Sequence, residues 1–338
     1  MMSWVTTAHR QGGLPAEQTW SPEEISAVVA AVNRAPSVQN TQSWLLELRD
    51  RSAILHERPD DLLLQHDPSG REQQITMGAA LTNLVLAVRR TGWSAEAHIH
   101  YGDSITATIT ASRPRAQTAT ENQRHRAIVR RASYRRAFEN QPLSHVTKES
   151  LYQATRLPGV FARWVSGEDE VAHVARSLAY SARVLRDDPG YGWELAAWTA
   201  EHERPEKLTA TAHGSGHRSA SRPLMPATRL PDERRLAARI AGESMLVLST
   251  PVEGRDGHLR VGQAMQQAWL EATSFGIAGS MLTQPLRLEE VRTGVAERLA
   301  LPGTPQVLVR FGYPAMSMPS EARRPLGEIC GDGQRWSP

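Results

Sequence analysis

The sequence predicts an α+β protein built in two halves, on three observations. At 338 residues the chain is longer than a typical single domain, so two domains or a duplicated one are expected. A polar stretch from Ser112 to Asn122, with Pro114 and several threonines, reads as a join between halves. Helix patterns and antiparallel-compatible strand patterns are mixed on both sides of it. The expected division is a loose N-terminus over 1–20, a first half over 21–120 and a second half over 121–338.

Each element has a local reason. Ser21-Pro22-Glu23-Glu24 starts a helix: Ser21 caps it, Pro22 suits the first position, and Glu24 closes a capping box. Ile25, Val28, Val29 and Val32 give it one apolar face, and Pro36 biases Ala35 away from helix, so it stops there. Trp44–Leu48 and Ala53–Glu57 read as a strand pair. A long helix over 72–90 follows, with Ile75, Ala79, Leu84, Val85 and Val88 on one side, Gly92 at its end, and small residues at Gly78-Ala79-Ala80 that permit close packing. Residues 95–101 and 104–111 alternate as a hairpin over Gly102-Asp103.

The second half is expected to open with a helix carrying Arg124, Arg126, Arg130 and Arg131. Further helices are expected at 147–156, 168–186, 192–203, 232–241, 262–273 and 288–299, with strands at 160–165, 245–250 and 305–311. Regularity fails from 202 to 231, where prolines, glycines, serines and threonines accumulate. So long an irregular stretch inside a compact chain suggests function, and it is a candidate lid.

Composition narrows the possibilities. Charge is nearly balanced, at +3, and the basic residues are almost all arginine, Lys148 and Lys207 being the only lysines. That pattern does not mark a nucleic-acid surface. Cys330, the one cysteine, excludes an internal disulfide framework and a cysteine-built metal site. There is no apolar run of membrane-spanning length and no basic-then-apolar leader, so a cytoplasmic protein is expected. Gly214-Ser-Gly216 lacks the strand context and third glycine of a dinucleotide loop. The histidines lack metal-ligand spacing and no nucleophile elbow occurs, so no metal is expected. The acid pairs Asp60-Asp61 and Asp187-Asp188 read as caps or turns.

Two stretches carry candidate chemistry. Between the first helix and the first strand lies Pro36-Ser37-Val38-Gln39-Asn40-Thr41-Gln42-Ser43-Trp44. Its amides and hydroxyls suit the display of donors and acceptors to a flat heteroaromatic ligand; an ordinary helix-to-strand loop is the plainer alternative. The second is Arg130-Arg131-Ala132-Ser133-Tyr134-Arg135-Arg136, with Arg323-Arg324 far along the chain. Guanidinium forks match phosphate oxygens and a hydroxyl adds a further bond, although a solvated basic face has the same composition.

The order of these pieces resembles the flavin-dependent nitroreductases. Ala35-Pro36-Ser37 with Asn40-Thr41-Gln42 and Trp44 is similar to their A-P-S-x-x-N-[ST]-Q-P-W segment. Arg131-x-Ser133-x-Arg135 resembles their phosphate-gripping R-x-S-x-[RK]. Gly276 to Gln284 resembles the segment that faces the flavin N5, and Arg310-Phe311-Gly312-Tyr313-Pro314 followed by Arg323-Arg324-Pro325-Leu326 resembles the closing strand and phosphate arginine. The Pro-Ser turn here precedes the arginine segment, reversing the family's order. That order, with Gly78-Ala79-Ala80-Leu81 and Leu282–Leu286, is similar to the Acg-type subfamily, in which one chain looks like a fused dimer. Ser43 departs from the family by replacing the proline before Trp44, and Glu321 stands where relatives carry a basic residue.

The resemblance implies two tandem nitroreductase-like halves forming a pseudo-dimer around one FMN. It implies that Arg131, Ser133, Arg135, Arg323 and Arg324 hold the phosphate and ribityl chain. Pro36, Ser37, Gln39 and Asn40 would pack on the ring, and Thr283 and Gln284 would approach N5, with NADH or NADPH as electron donor. No acid–base residue is assigned, since the flavin carries the redox chemistry. A monomer acting on a small aromatic or specialised metabolite follows, with no nucleic-acid or membrane partner. A storage protein whose lid covers the flavin, with Tyr191, Trp193, Trp198 and Met225 stacked there, is the alternative. A non-flavin binding protein is the third.

Overall fold

A computed structural model describes residues 19–58, 64–199, 232–318 and 323–330, with backbone only for 195–199. The candidate lid over 202–231, with Met225, most of the N-terminal stretch, Glu321 and the Trp198 side chain lie outside the described residues. Among the described residues no helix is long and apolar enough to cross a membrane, and no cluster of His, Cys, Asp and Glu could hold a metal ion.

The chain is α+β, with two four-stranded antiparallel sheets. The first uses β1 (Trp44–Arg49), β2 (Ser52–Glu57), β3 (Glu96–Tyr101) and β4 (Ile105–Thr110) in the order β1-β2-β4-β3. The second uses β5 (Phe161–Trp164), β6 (Ser244–Thr250), β7 (Ala278–Leu282) and β8 (Thr304–Gly312) in the order β5-β6-β8-β7. Strand order is therefore the same in both. A 20-residue helix joins the second and third strands of each: α2 (Arg71–Arg90) and α8 (Arg255–Ser274). The alternation Trp44, Leu46, Leu48 on β1 buries one face of the first sheet. All of β6 is buried, as a central strand covered on both sides must be.

The two long helices cross at glycines. A Cβ on Gly78 would lie 2.0 Å from the Leu259 carbonyl oxygen, and one on Gly262 would lie 1.9 Å from that of Ile75. No side chain fits at either place, so the backbones touch directly. Gln74 Oε1 meets His258 Nδ1 at 2.7 Å, and the Gln266 amide donates to Asn83 Oδ1 at 2.8 Å. Buried polar groups thus tie the crossing together.

Of the remaining helices, α1 (Pro22–Asn33) has the expected capping box of Ser21 and Glu24. α3 (Ala119–Ile128) is shorter than its arginine pattern suggested. It ends before Arg130 and Arg131, because Ala132 and Ser133 are drawn out of helical register by the bridge of Ser133 to Gly279. α4 (His145–Ala154), α5 (Gly167–Arg186), α6 (Pro189–Thr199), α7 (Glu233–Gly242) and α9 (Glu289–Arg298) lie close to the expected spans. β7 and the short α10 (Leu326–Ile329) are additional to them.

Candidate functional site

The turn after α1 is strained. Gln39, Asn40 and Gln42 have φ of 45°, 58° and 49°, a left-handed conformation uncommon for residues with a Cβ. Three such residues in one turn persist only where surrounding contacts over-determine them. Here the Ser37 hydroxyl accepts from the Gln42 N–H at 3.1 Å, and the Ser37 and Val38 carbonyls accept from Asn40 and Thr41 at 3.1 and 2.9 Å. Gln42 is fully buried: its amide nitrogen donates to the Asn33 side chain and carbonyl, and its oxygen accepts from the Arg324 N–H at 2.8 Å. Trp44, also fully buried, anchors the exit into β1.

The arginine segment reaches this turn from the second half. Ser133 forms a parallel bridge to Gly279 on β7, and the Tyr134 N–H donates to the Gly279 carbonyl at 2.8 Å. One cleft of about 490 Å³, counting its open mouth, is lined by Ser37 and Gln39 of the turn, by Ser133 and Arg135, and by the run from Ser280 to Pro285. Its mixture of apolar and polar walls suits a cofactor. Val38, Met281, Leu282 and Pro285 form its apolar part.

The cleft thus brings together Ser37, Gln39, Ser133, Arg135, Thr283 and Gln284. Asn40 lies behind it, its Oδ1 accepting from Arg323 Nη1 at 3.2 Å, and the same guanidinium nitrogen donates to the Ala35 carbonyl at 2.8 Å. The other expected residues do not line the cleft. Arg131 is 2% exposed, donates to the Arg34 carbonyl at 2.9 Å and has its guanidinium 4.9 Å from the Trp269 ring centre. Arg324 is buried, its carbonyl accepting from Asn33 at 3.0 Å, and Pro36 is buried in the turn. Arg131 and Arg324 join the halves. Of the aromatic residues considered for ring stacking, Trp193 is 80% exposed, whereas Tyr191 is 1% exposed.

Two lining residues escaped the sequence reading: His66 and Glu72, on the wall formed by the start of α2. Beside them Arg71 donates to the Thr283 and Gln306 carbonyls at 3.0 and 3.2 Å, clamping α2 to the floor of the cleft. Burial drives the Glu72 carboxyl up, but His66 and Arg71 outweigh it and hold the group below the usual carboxylate range. Burial, with the neighbouring Glu72 charge, pushes Asp67 up to about 6. A repeat does flag Arg71-Glu72, since Arg255-Asp256 stands at the same distance before the second crossing glycine. Nothing in the sequence distinguishes His66 from its fellow histidines.

The nitroreductase family profile matches residues 128–313, more than half of the chain. Rv3131 of Mycobacterium tuberculosis is 29% identical over 318 residues, 91% of this chain and 91% of its own. Acg of the same organism is 30% identical over 318 residues, 90% of this chain and 94% of its own. Both carry provisional NAD(P)H nitroreductase names. Among solved structures, nitroreductase A from Vibrio parahaemolyticus aligns at 16% identity over 64% of this chain and 77% of that one, with a TM-score of 0.39, too distant to equate residues. On the profile and the near full-length mycobacterial matches, this chain belongs to the nitroreductase family, and within it to the Acg type.

Proposed function

We propose that the cleft holds one FMN and that the chain is a cytoplasmic, monomeric NAD(P)H-dependent oxidoreductase. It carries out two-electron reduction of a small aromatic or specialised metabolite. The observation that carries this reading is that Ser37 and Gln39 from the first half share one cleft with Ser133 and Arg135 from the second. The donor set fits the cofactor: a guanidinium and a hydroxyl for a phosphate, amides for a heteroaromatic edge, and Val38, Met281, Leu282 and Pro285 for an apolar face. Family membership and the NAD(P)H nitroreductase names of the mycobacterial relatives support the same reading.

Arg135 and Ser133 hold the phosphate end, with Arg323 beside them. Ser37 and Gln39 meet the ring from the other half, with Asn40 behind them tied to Arg323, and Thr283 and Gln284 approach its N5. Arg131 and Arg324 act from behind, by keeping the two halves in register, and Pro36 shapes the turn. The two halves, matched in strand order and in their long helices, then stand to each other as the subunits of a dimer fused into one chain. When bound, FMN supplies a two-electron carrier that accepts hydride from the nicotinamide.

The test is direct. The purified protein is expected to be yellow or to take up added FMN, and Arg135→Ala to weaken that uptake about 10- to 100-fold, the loss of one charge-assisted contact. Anaerobic NADH or NADPH is expected to bleach the bound flavin. Protein that stays colourless with added FMN overturns the cofactor reading. Bound FMN that neither nucleotide bleaches would instead make this a flavin-storage protein.

A further inference from the structure

His66 and Glu72 form a buried polar pair on the wall of the cleft. Both line the cleft, yet they are only 3% and 1% exposed. The imidazole Nε2 lies 3.3 Å from Glu72 Oε2, off the line of a hydrogen bond. Neither ring nitrogen and neither carboxylate oxygen completes a well-aligned hydrogen bond, although His66 and the Thr283 side chain both lie close enough to the Glu72 carboxylate to help hold it ionised. Tyr191, 1% exposed, stacks on the imidazole with centres 5.1 Å apart and planes inclined at 18°, and its hydroxyl is likewise without a partner. A polar atom so deeply buried costs about 1–3 kcal/mol when it finds no hydrogen bond. Several such atoms on one cleft wall point to a polar group that enters from the cleft.

The pair is held rigidly. Glu194 accepts from the His66 backbone N–H at 2.6 Å and from that of Gln65 at 2.9 Å. The charges facing it come from every neighbouring element. Arg71 lies 3.6 Å from Glu72 Oε1, with Asp67 at the same helix start. Asp188 and Glu194 come from the α6 side, Arg135 lines the same cleft, and the Arg287 guanidinium sits 5.5 Å from the Tyr191 ring. Burial pushes the Tyr191 phenol above its ordinary range, so it stays protonated, while Glu72 stays ionised. Imidazole is the side chain of the three suited to exchanging a proton near neutral pH.

Resting on the oxidoreductase reading above, we infer that His66 donates the proton to the acceptor and that Glu72 is its positioning residue; a quinone, whose reduction leaves an oxyanion, serves as the acceptor for the balance and for the test. The balance closes with groups already named. NAD(P)H gives up a hydride and becomes NAD(P)⁺; the quinone gains two electrons and that hydrogen. The imidazolium N–H bond then breaks as an O–H bond forms on the remaining oxyanion, giving the hydroquinone and neutral imidazole, which recovers its proton from water. Tyr191 backs the imidazole by stacking on it, and a donor aimed at a developing oxygen charge stabilises that charge.

The first experiment needs no turnover. 4-Nitrophenol, whose phenol and phenolate absorb differently, is titrated into FMN-loaded protein. Wild type is expected to shift its ionisation towards phenolate by about tenfold, and His66→Gln to abolish the shift. The second separates the half-reactions with NADPH and 1,4-benzoquinone. His66→Gln is expected to slow re-oxidation by the quinone about 100-fold more than bleaching by NADPH, within the range of general acid catalysis. Glu72→Gln removes the negative partner while keeping the side chain's shape, so it is expected to slow re-oxidation by the quinone about tenfold and to leave bleaching by NADPH unchanged. Wild type that takes up no FMN ends the cofactor reading and this inference with it. Normal FMN content in His66→Gln with an unchanged nitrophenol shift, or with both half-reactions slowed alike, overturns this inference alone.

Discussion

The two long central helices carry the same pattern and begin in different surroundings. Arg71-Glu72 stands before Ile75 and Gly78 at the spacing at which Arg255-Asp256 stands before Leu259 and Gly262. Each arginine reaches the carbonyl just after the third strand of the opposite sheet: Arg71 to Thr283 and Arg255 to Gly102. At the α2 end Arg71 and Glu72 are buried and Glu72 lines the cleft. At the α8 end Arg255 and Asp256 are exposed, and Asp256 accepts a 2.8 Å hydrogen bond from the Tyr101 hydroxyl. The loops that lead into the first strand of each sheet differ in the same sense. Arg34-Ala35-Pro36-Ser37-Val38 is followed by Gln39 to Ser43 before β1, whereas Arg156-Leu157-Pro158-Gly159-Val160 runs straight into β5. The scaffold is common to both ends. The polar insert and the buried charges mark one end alone, and the difference separates the features the scaffold requires from those it does not.

The largest effects are expected where the ends are equivalent. Gly78→Ala and Gly262→Ala each drive a Cβ into the backbone of the opposite helix. Each is expected to cost about 3 kcal/mol, at the upper end of overpacking, and leucine at either position to abolish cooperative folding. Urea denaturation of the two alanine variants checks this. Similar losses support a symmetric crossing, and a silent variant at either glycine would break the comparison.

Next in size is the contrast between the arginines. Arg71→Ala strands buried carbonyls of Thr283 and Gln306 and removes a cation beside Glu72, so it is expected to cost about 2–3 kcal/mol. Arg255→Ala loses only surface contacts to Gly102 and Asp103 and is expected to cost less than about 1 kcal/mol. Thermal unfolding of the pair decides between an asymmetric and a symmetric scaffold: equal losses would mean that the α2 end is no more committed than the other.

How far each feature was legible follows from the same contrast. Helices with local signals were readable: the Ser21–Glu24 box and the apolar stripe of α1 act within a few residues. β7 was not, because Ala278-Gly279-Ser280 offers neither alternation nor β-branched bulk and is held by pairing with β8. Arg130 and Arg131 look helical by composition, but a tertiary bridge at Ser133 draws the chain away. In the cleft, Ser37, Gln39, Ser133, Arg135, Thr283 and Gln284 were readable as hydrogen-bonding types in suggestive order. The left-handed backbone at Gln39, Asn40 and Gln42 was not, since no glycine announces it. His66 and Glu72 are polar residues whose importance lies in burial, which only the packed fold creates.

The smallest expected effect probes the centre of the crossing, where Gln74 and His258 occupy matching positions and touch. With Gln74 Oε1 as acceptor, His258 Nδ1 carries the proton, and Nε2 is buried without a partner. Burial, reinforced by the Arg71 charge, brings the His258 imidazole down to about 4 from an ordinary 6.5. Below pH 6.5 the unfolded chain takes up a proton there that the folded protein refuses, so stability falls as pH drops from 6.5 towards 4. Asp67 works in the opposite direction. Raised to about 6 from 3.8, it is protonated in the folded protein before it is in the unfolded chain, and so adds stability as pH falls through that window. His258→Gln is therefore expected to lessen the acid-side loss of stability, and Asp67→Asn to steepen it. Denaturation midpoints measured at intervals between pH 4 and 7 check both signs. Curves parallel to wild type in both variants would mean that neither group is as isolated from water as the crossing and the cleft wall require.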